Sequence, residues 1–159
     1  LIFAVEIKPM ETQIAATNRK AYHEYHILDK YEAGIELLGS EVKSLREGNA
    51  NLKQAYITIR NGQALAIGIH ISPYSHTGFE GHDSVRDRRL LLHKREIKKI
   101  KDLTDQKGLT AIPLQLYFNP NGKAKLEIGI AKGKKTYDKK KAMRERDIQR
   151  DAQRELRNR

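Results

Sequence analysis

The sequence predicts a small, mainly β domain with flanking helices (α+β), closed as an antiparallel barrel of about six strands and followed by a basic tail. Three observations carry this. Apolar and polar residues alternate in several short segments between residues 22 and 131, the period of a half-buried strand. Hairpin turn residues, Asn61-Gly62 and Asn119-Pro120-Asn121-Gly122, separate two pairs of these segments. From Lys132 onward the apolar pattern gives out, and residues 132–159 hold twelve Lys or Arg against five Asp or Glu.

Taken in order, residues 1–17 show no convincing period and read as a mobile N-terminal extension, with Met10 a candidate start. Residues 22–28 are rich in aromatic and β-forming types and predict a first strand; Asp29-Lys30 reads as a turn, and Tyr31 to Leu38 as a second strand. Gly39 ends it, and Ser40 is placed to cap a short helix over 41–46, with Glu41 in its first turn and Gly48 at its end. Asn49 to Leu52 reads as a turn. Gln54 to Arg60 and Gln63 to Ser72 form a hairpin; Ile57, Ile59, Leu65, Ile67, Ile69 and Ile71 are assigned inward, and the smaller Ala64, Ala66 and Gly68 outward.

Pro73 to Asp87 is a long loop. Residues 88–103 show apolar residues at helical spacing (Leu92, Ile97, Ile100, Leu103), with Leu91 off the stripe, and predict one amphipathic helix. Leu109 to Phe118 and Lys123 to Ala131 form a second hairpin, with Ile112, Leu114, Leu116, Phe118, Leu126, Ile128 and Ile130 inward. Pro113 cannot donate to a ladder and belongs at an edge or bulge. A closed barrel of the oligonucleotide-binding type accommodates these strands economically. The expected division is an extension over 1–17, a barrel domain over 18–133 and a tail over 134–159. From Arg144 the tail carries a thin apolar stripe, Ile148, Ala152 and Leu156, so it is expected to be disordered when free and helical when bound to a polyanion.

The chain of 159 residues suits one domain. Of its formal net charge of +11, +7 lies in the last 28 residues, which points to a nucleic acid or an anionic membrane as partner. There is no cysteine, hence no disulfide framework and no thiolate chemistry, which suits a reducing compartment. No apolar run approaches the roughly 20 residues that span a bilayer. Gly129 to Thr136 looks like a phosphate loop but fails: the first Gly is one residue too close, and Lys135 stands where a Ser or Thr would bind Mg²⁺. His23 and His26 would point to opposite faces of a strand, so no metal site is expected. Glu24, Glu32, Glu36 and Glu41 have no nucleophile or paired base and read as surface carboxylates. Tyr22, Tyr56, Tyr117, Arg60, Lys123 and Lys125 fall on outward strand positions, where cations neutralise phosphates and aromatic faces stack on bases.

Several blocks then match a known family. They are Tyr31-Glu32-Ala33-Gly34-Ile35, Gly39 to Arg46, Ala50-Asn51-Leu52-Lys53, Ile71-Ser72-Pro73, Arg89 to Glu96, and Lys125 to Lys135. In this order, from about Asn18 to Arg154, they resemble the SmpB family of SsrA-binding proteins. The resemblance implies an RNA-binding barrel with no enzymatic activity, cofactor, membrane or small-molecule substrate, acting as a monomer in the bacterial cytoplasm. The implied partners are the tRNA-like domain of transfer-messenger RNA (tmRNA, SsrA RNA) and the stalled ribosome. The tail would enter the decoding centre and the empty mRNA channel, so that trans-translation tags the nascent peptide and rescues the ribosome. The family's RNA-contacting positions fall on Asn18, Glu32, Leu91 and Lys125; its ribosome-acting positions fall on Gly133, Lys134, Lys135, Tyr137, Asp138, Lys139 and Lys140. Tyr137 replaces a common histidine and Ile148 a frequent tryptophan. Residues 74–87 match the family poorly and 1–17 not at all. The alternative reading is a generic small ribosome-associated RNA-binding protein.

Overall fold

The computed structural model describes residues 11–74, 82–106, 108–134 and 136–158. Among them are nine strands and four helices: β1 (Gln13–Thr17), α1 (Arg19–Glu24), β2 (Tyr25–Ile35), α2 (Gly39–Arg46), β3 (Ala50–Asn51), β4 (Tyr56–Arg60), β5 (Gln63–Ile67), β6 (His70–Ile71), β7 (Arg88–Leu91), α3 (Lys94–Thr104), β8 (Leu109–Phe118), β9 (Ala124–Gly133) and α4 (Thr136–Arg157). The main sheet runs β1-β8-β4-β5-β7-β2-β9, and β9 returns to pair with β8. The expected six-stranded antiparallel barrel is therefore present as a closed ring of β8, β4, β5, β7, β2 and β9, with β3 and β6 as a separate ribbon. Its interior holds Ala33, Ile35, Ile57, Ala64, Ala66, Leu90, Leu116, Phe118, Leu126, Ile128 and Ile130.

The two hairpins follow their turn chemistry. Asn61 and Gly62 both have positive φ, 52° and 73°, as a type I′ turn requires, and Arg60 pairs with Gln63 across it. The register of the second half of the first hairpin differs from expectation. Ala64 and Ala66 face the interior, while Leu65 and Ile67 are half-buried. Gly68, at φ +80°, then breaks the strand, and Ile69 and Ile71 become fully buried. One residue of left-handed backbone thus exchanges the faces of a continuous-looking alternation. A Cβ at Gly68 would stand 3.0 Å from the Gln54 carbonyl oxygen. Gly68→Ala is expected to cost about 1–3 kcal/mol of stability, read as an earlier urea midpoint at unchanged m.

Two bulges do similar work. β2 is one strand through the expected turn at Asp29-Lys30, and its register against β9 shifts between Ile27 and Asp29. β8 shifts register between Pro113 and Gln115, as the proline demanded. Ile112, before that bulge, and Leu114, in it, face outward into a second apolar cluster with Ala21 and Ala131 beneath α1; after it Leu116 and Phe118 face the barrel. Gly129 gives Leu114 its room, since a Cβ there would lie 2.8 Å from Leu114 Cδ1.

Three further expectations are corrected. Gln13–Thr17 is not part of an extension but a strand paired with β8; residues 1–10 lie outside the described residues. The expected first strand begins as α1, because Asn18 Oδ1 accepts the Ala21 N–H and turns Ala21 inward. The single amphipathic helix over 88–103 is a strand, β7, followed by α3, which His93 and Glu96 start: the His93 N–H donates to Glu96 Oε1 at 3.2 Å.

Glu41 is the largest departure. Instead of a surface carboxylate it is fully buried, as is Arg88. Arg88 donates to Glu41 Oε2 at 2.5 Å and to the Ile69 carbonyl at 2.6 Å; Arg86 and the Leu38 N–H reach Glu41 Oε1. Nearby, Ser44 Oγ donates to the Ser72 carbonyl at 2.6 Å, and Ser40 Oγ lies 2.9 Å from His82 Nδ1 rather than capping the helix. These contacts dock α2 onto the chain after β6, including the last part of the long loop. Residues 75–81 of that loop lie outside the described residues.

Candidate nucleic-acid interface

Four adjacent strands place one residue each in a row across the outside of the barrel. Leu91 on β7 pairs with Gly34 on β2, Gly34 with Lys125 on β9, and Lys125 with Tyr117 on β8. One pleat along, Glu32 stands opposite Glu127, and Glu127 opposite Gln115. Residues two apart on a strand share a face, so the second row lies beside the first. Tyr117 Oη donates to Glu32 Oε2 across the two rows. Burial and that hydrogen bond push the Tyr117 hydroxyl above its ordinary range, so it keeps its proton and holds the carboxylate in place.

Glu32, Leu91 and Lys125 therefore line a single groove of about 440 Å³, together with Gly34, Gln63, Arg89 and His93. Leu91 ends β7 with 51% of its surface exposed. It is not a residue beside a helical stripe but a strand residue seated on Gly34, whose missing side chain makes the seat: a Cβ there would come within 3.2 Å of Leu91 Cβ. Lys125 makes no ion pair among the described residues, whereas Lys30 lies 3.6 Å from Glu127 and Arg89 3.8 Å from Glu36. The groove thus offers an unpaired ammonium, an apolar knob, a fixed carboxylate acceptor and flanking arginine. Such a set suits RNA: phosphate for the cation, a base face for the leucine, and a sugar hydroxyl or base N–H for the carboxylate.

Asn18 is elsewhere. It is 5% exposed, and its carboxamide is engaged internally: Nδ2 donates to the Pro113 carbonyl at 2.9 Å and to the Leu52 carbonyl at 3.4 Å, and Oδ1 caps α1. The hollow beside it is lined also by Lys20, Lys53 and Tyr56, and shares no residue with the first groove. An RNA reaching there would meet those side chains more readily than the amide of Asn18.

The positions expected to act on the ribosome gather at the junction of barrel and tail. Gly133 ends β9 opposite Tyr25. Lys134 is held against α1: its N–H donates to the Glu24 carbonyl at 2.8 Å and its Nζ to the Tyr22 carbonyl at 3.3 Å. Lys135 lies outside the described residues. Tyr137, Asp138 and Lys139 fall in the first turns of α4 with their side chains outside the described set, and Lys140 is exposed. α4 begins eight residues before the expected Arg144. Ile148 and Leu156 are 68% and 71% exposed, so the apolar stripe of the tail finds no cover on the body. Arg146 approaches His23 Nδ1 at 3.2 Å.

Of the other candidate residues, Tyr22 is 43% and Tyr56 45% exposed, and Lys30 Nζ lies 5.8 Å from the Tyr22 ring centroid. No group of three or more His, Cys, Asp or Glu is arranged to hold a metal ion among the described residues, and no helix there is long and apolar enough to cross a membrane. The Glu41–Arg88 pair escaped sequence reasoning because its members are 47 positions apart. Its one signal is the period-two pattern of Arg88-Arg89-Leu90-Leu91, which puts Arg88 on the same face as Leu90 once the segment is a strand.

The family model described as SmpB protein matches residues 15–158. The SsrA-binding protein of Coprothermobacter proteolyticus is 54% identical over 145 residues, covering 90% of this chain and 96% of its own length. That of a Sulfurihydrogenibium species is 53% identical over 142 residues, covering 89% and 93%. A chain of the solved structure described as "tmRNA-SmpB: a journey to the center of the bacterial ribosome" is 42% identical, with a TM-score of 0.68, over 81% of this chain and 94% of that one.

Proposed function

The chain belongs to the SmpB family, and on that premise we propose that it is the RNA-binding adaptor of trans-translation. It binds tmRNA and acts with it on the ribosome. The observation that supports this best is the pair of adjacent rows Leu91–Gly34–Lys125–Tyr117 and Glu32–Glu127–Gln115, which bring the three expected RNA-contacting residues Glu32, Leu91 and Lys125 into one groove. We assign that groove to the tRNA-like domain, with Asn18 acting indirectly by fixing β1 and α1 on β8. The barrel through Gly133 is the RNA-binding domain, and the tail from Lys134 is the ribosome-acting one. Gly133, Lys134, Lys135, Tyr137, Asp138, Lys139 and Lys140 address the decoding centre, and the rest of the tail follows the empty mRNA channel. α4, whose apolar stripe the body leaves uncovered, is stabilised there, where that stripe and its cations find RNA on every side. The protein works as a monomer in the cytoplasm and performs no catalytic step of its own.

The test uses Leu91→Asn. Loss of its exposed apolar contact is expected to weaken tmRNA binding roughly tenfold, about 1–1.5 kcal/mol, with melting unchanged. Normal affinity would remove Leu91 from the site, and a lost cooperative melt would make it a core residue. RNA recovered with the wild-type chain from cells distinguishes the adaptor, which brings down one discrete tRNA-like species, from a generic ribosome-associated protein, which brings down bulk ribosomal RNA.

A further inference from the structure

A second hollow, of about 390 Å³, lies on the other side of the contact between the Asn61-Gly62 turn and α3. Its apolar wall is Ile59 and Ile97, both half-buried; its remaining lining is Asn61, Gly62 and three exposed lysines, Lys94, Lys98 and Lys101. These lysines occupy i, i+4 and i+7 of α3 and so share one helix face with Ile97. None makes an ion pair or hydrogen bond through its ammonium among the described residues, and no carboxylate lines the hollow. Of the two other α3 cations, Arg95 and Lys99, neither lines the hollow, and Lys99 turns to Tyr31, 6.0 Å from its ring centroid.

We propose that this hollow is a second RNA-binding subsite, which takes the next segment of the same tmRNA that occupies the Leu91 groove. Three observations select that occupant. The two hollows share Gly62 and Ile97 in their linings, so a strand leaving one passes directly into the other. Three unpaired ammonium groups around a cavity without acid form a phosphate-binding rim, since Lys binds phosphate as a point charge. The apolar wall matches the face of an unpaired base, which a duplex backbone would not present. The subsite rests on the RNA-binding reading above but uses none of Glu32, Leu91 and Lys125.

The experiment compares the full-length protein with its Lys94→Gln/Lys98→Gln/Lys101→Gln variant, with Lys99→Gln as control. Affinity for tmRNA is measured between 50 and 300 mM salt, with melting curves and hydroxyl-radical footprints. The triple variant is expected to bind roughly ten- to a hundredfold more weakly at 0.1 M salt, with a log K against log[salt] slope shallower by about 2–3. Its footprint should lose a protected patch adjoining, and distinct from, the patch lost in Leu91→Asn. Lys99→Gln should keep both patches. If the triple variant melts early, Lys98→Glu replaces it, and the same adjoining patch should be lost. Wild-type affinity, slope and footprint in the substituted protein would overturn the subsite, as would loss of ribosome binding with tmRNA binding intact. Failure of the wild-type chain itself to bind tmRNA is a separate result: it would overturn the adaptor reading, and the subsite with it.

Discussion

Replacing Glu41 by Gln is expected to lower the melting temperature by about 10–15 °C, corresponding to about 3–5 kcal/mol in a domain of this size. The carboxylate is fully buried and receives Arg88, Arg86 and the Leu38 N–H. A glutamine has the same shape but presents an NH₂ to donors and carries no charge. Arg88, itself fully buried, would lose the carboxylate bonded to it and keep neutral oxygens such as the carbonyls of Ile69 and Ser84. A lone buried cation is costly, whereas removing both partners is not. Glu41→Leu combined with Arg88→Met should therefore recover much of the loss, since Arg86 is partly exposed and can turn to water. Against a total stability of about 5–15 kcal/mol, the single substitution would leave a measurable unfolded fraction at growth temperature. An unchanged melt would show that the pair contributes nothing to the fold.

The same pair sets an acid limit. Burial opposes ionisation of Glu41, but the hydrogen bonds from Arg86, the Leu38 N–H and Arg88 outweigh it and hold the carboxyl below its ordinary value of 4.5. A depressed folded-state pKa means that the stabilisation is complete above the unfolded value, near 4.5, and is lost as pH falls through the folded one. The stability difference between wild type and Glu41→Gln should accordingly be constant above pH 4.5 and shrink below it.

What the sequence made legible was whatever a local pattern decides. Asn61-Gly62 announces its turn because only a few residue types take two positive φ values in succession. β9 shows its inward face because no bulge interrupts Leu126, Ile128 and Ile130. Errors came where one residue changes the phase. Gly68 and the bulge after Pro113 each move later side chains to the other face, and no apolar-polar count registers such a shift. Arg88–Leu91 followed by Lys94–Thr104 imitates one helix because a short alternating strand adds apolar residues near helical spacing. Gln13–Thr17 and the Glu41–Arg88 pair depend on partners about a hundred and 47 positions away, so nothing nearby in the chain marks them. In the site, Lys125 stood out as a basic residue at an outward strand position. Glu32 and Leu91, acidic and apolar, came only from resemblance, and the barrel had to close before their neighbourhood to Lys125 could be seen.

Truncation before Tyr137 is expected to leave tmRNA affinity within about twofold of the full chain and to abolish peptide tagging on stalled ribosomes. Everything that builds the barrel lies before that point. The last strand ends at Gly133, and Lys134 closes it against α1 through the Glu24 and Tyr22 carbonyls. Beyond it, the described contact of the tail with the body is Arg146 with His23 on the surface, a contact worth little in water. Ile148 and Leu156 bury nothing on the barrel, so its stability should not change. On the ribosome the balance differs. α4 already has its helical backbone, so what must be fixed there is its long side chains, at up to about 2 kcal/mol for each Lys or Arg. Only a channel that lines it with phosphates, and gives its stripe a cover, can offset that cost. Within the tail, Tyr137→Ala should reduce tagging more than Lys141→Ala, because a stacking ring needs one particular base face while a lysine finds a phosphate in many positions. The decisive measurement takes RNA affinity and tagging on the same truncated protein. If both fall together, the tail belongs to the tmRNA site, and the assignment of separate surfaces to barrel and tail is wrong.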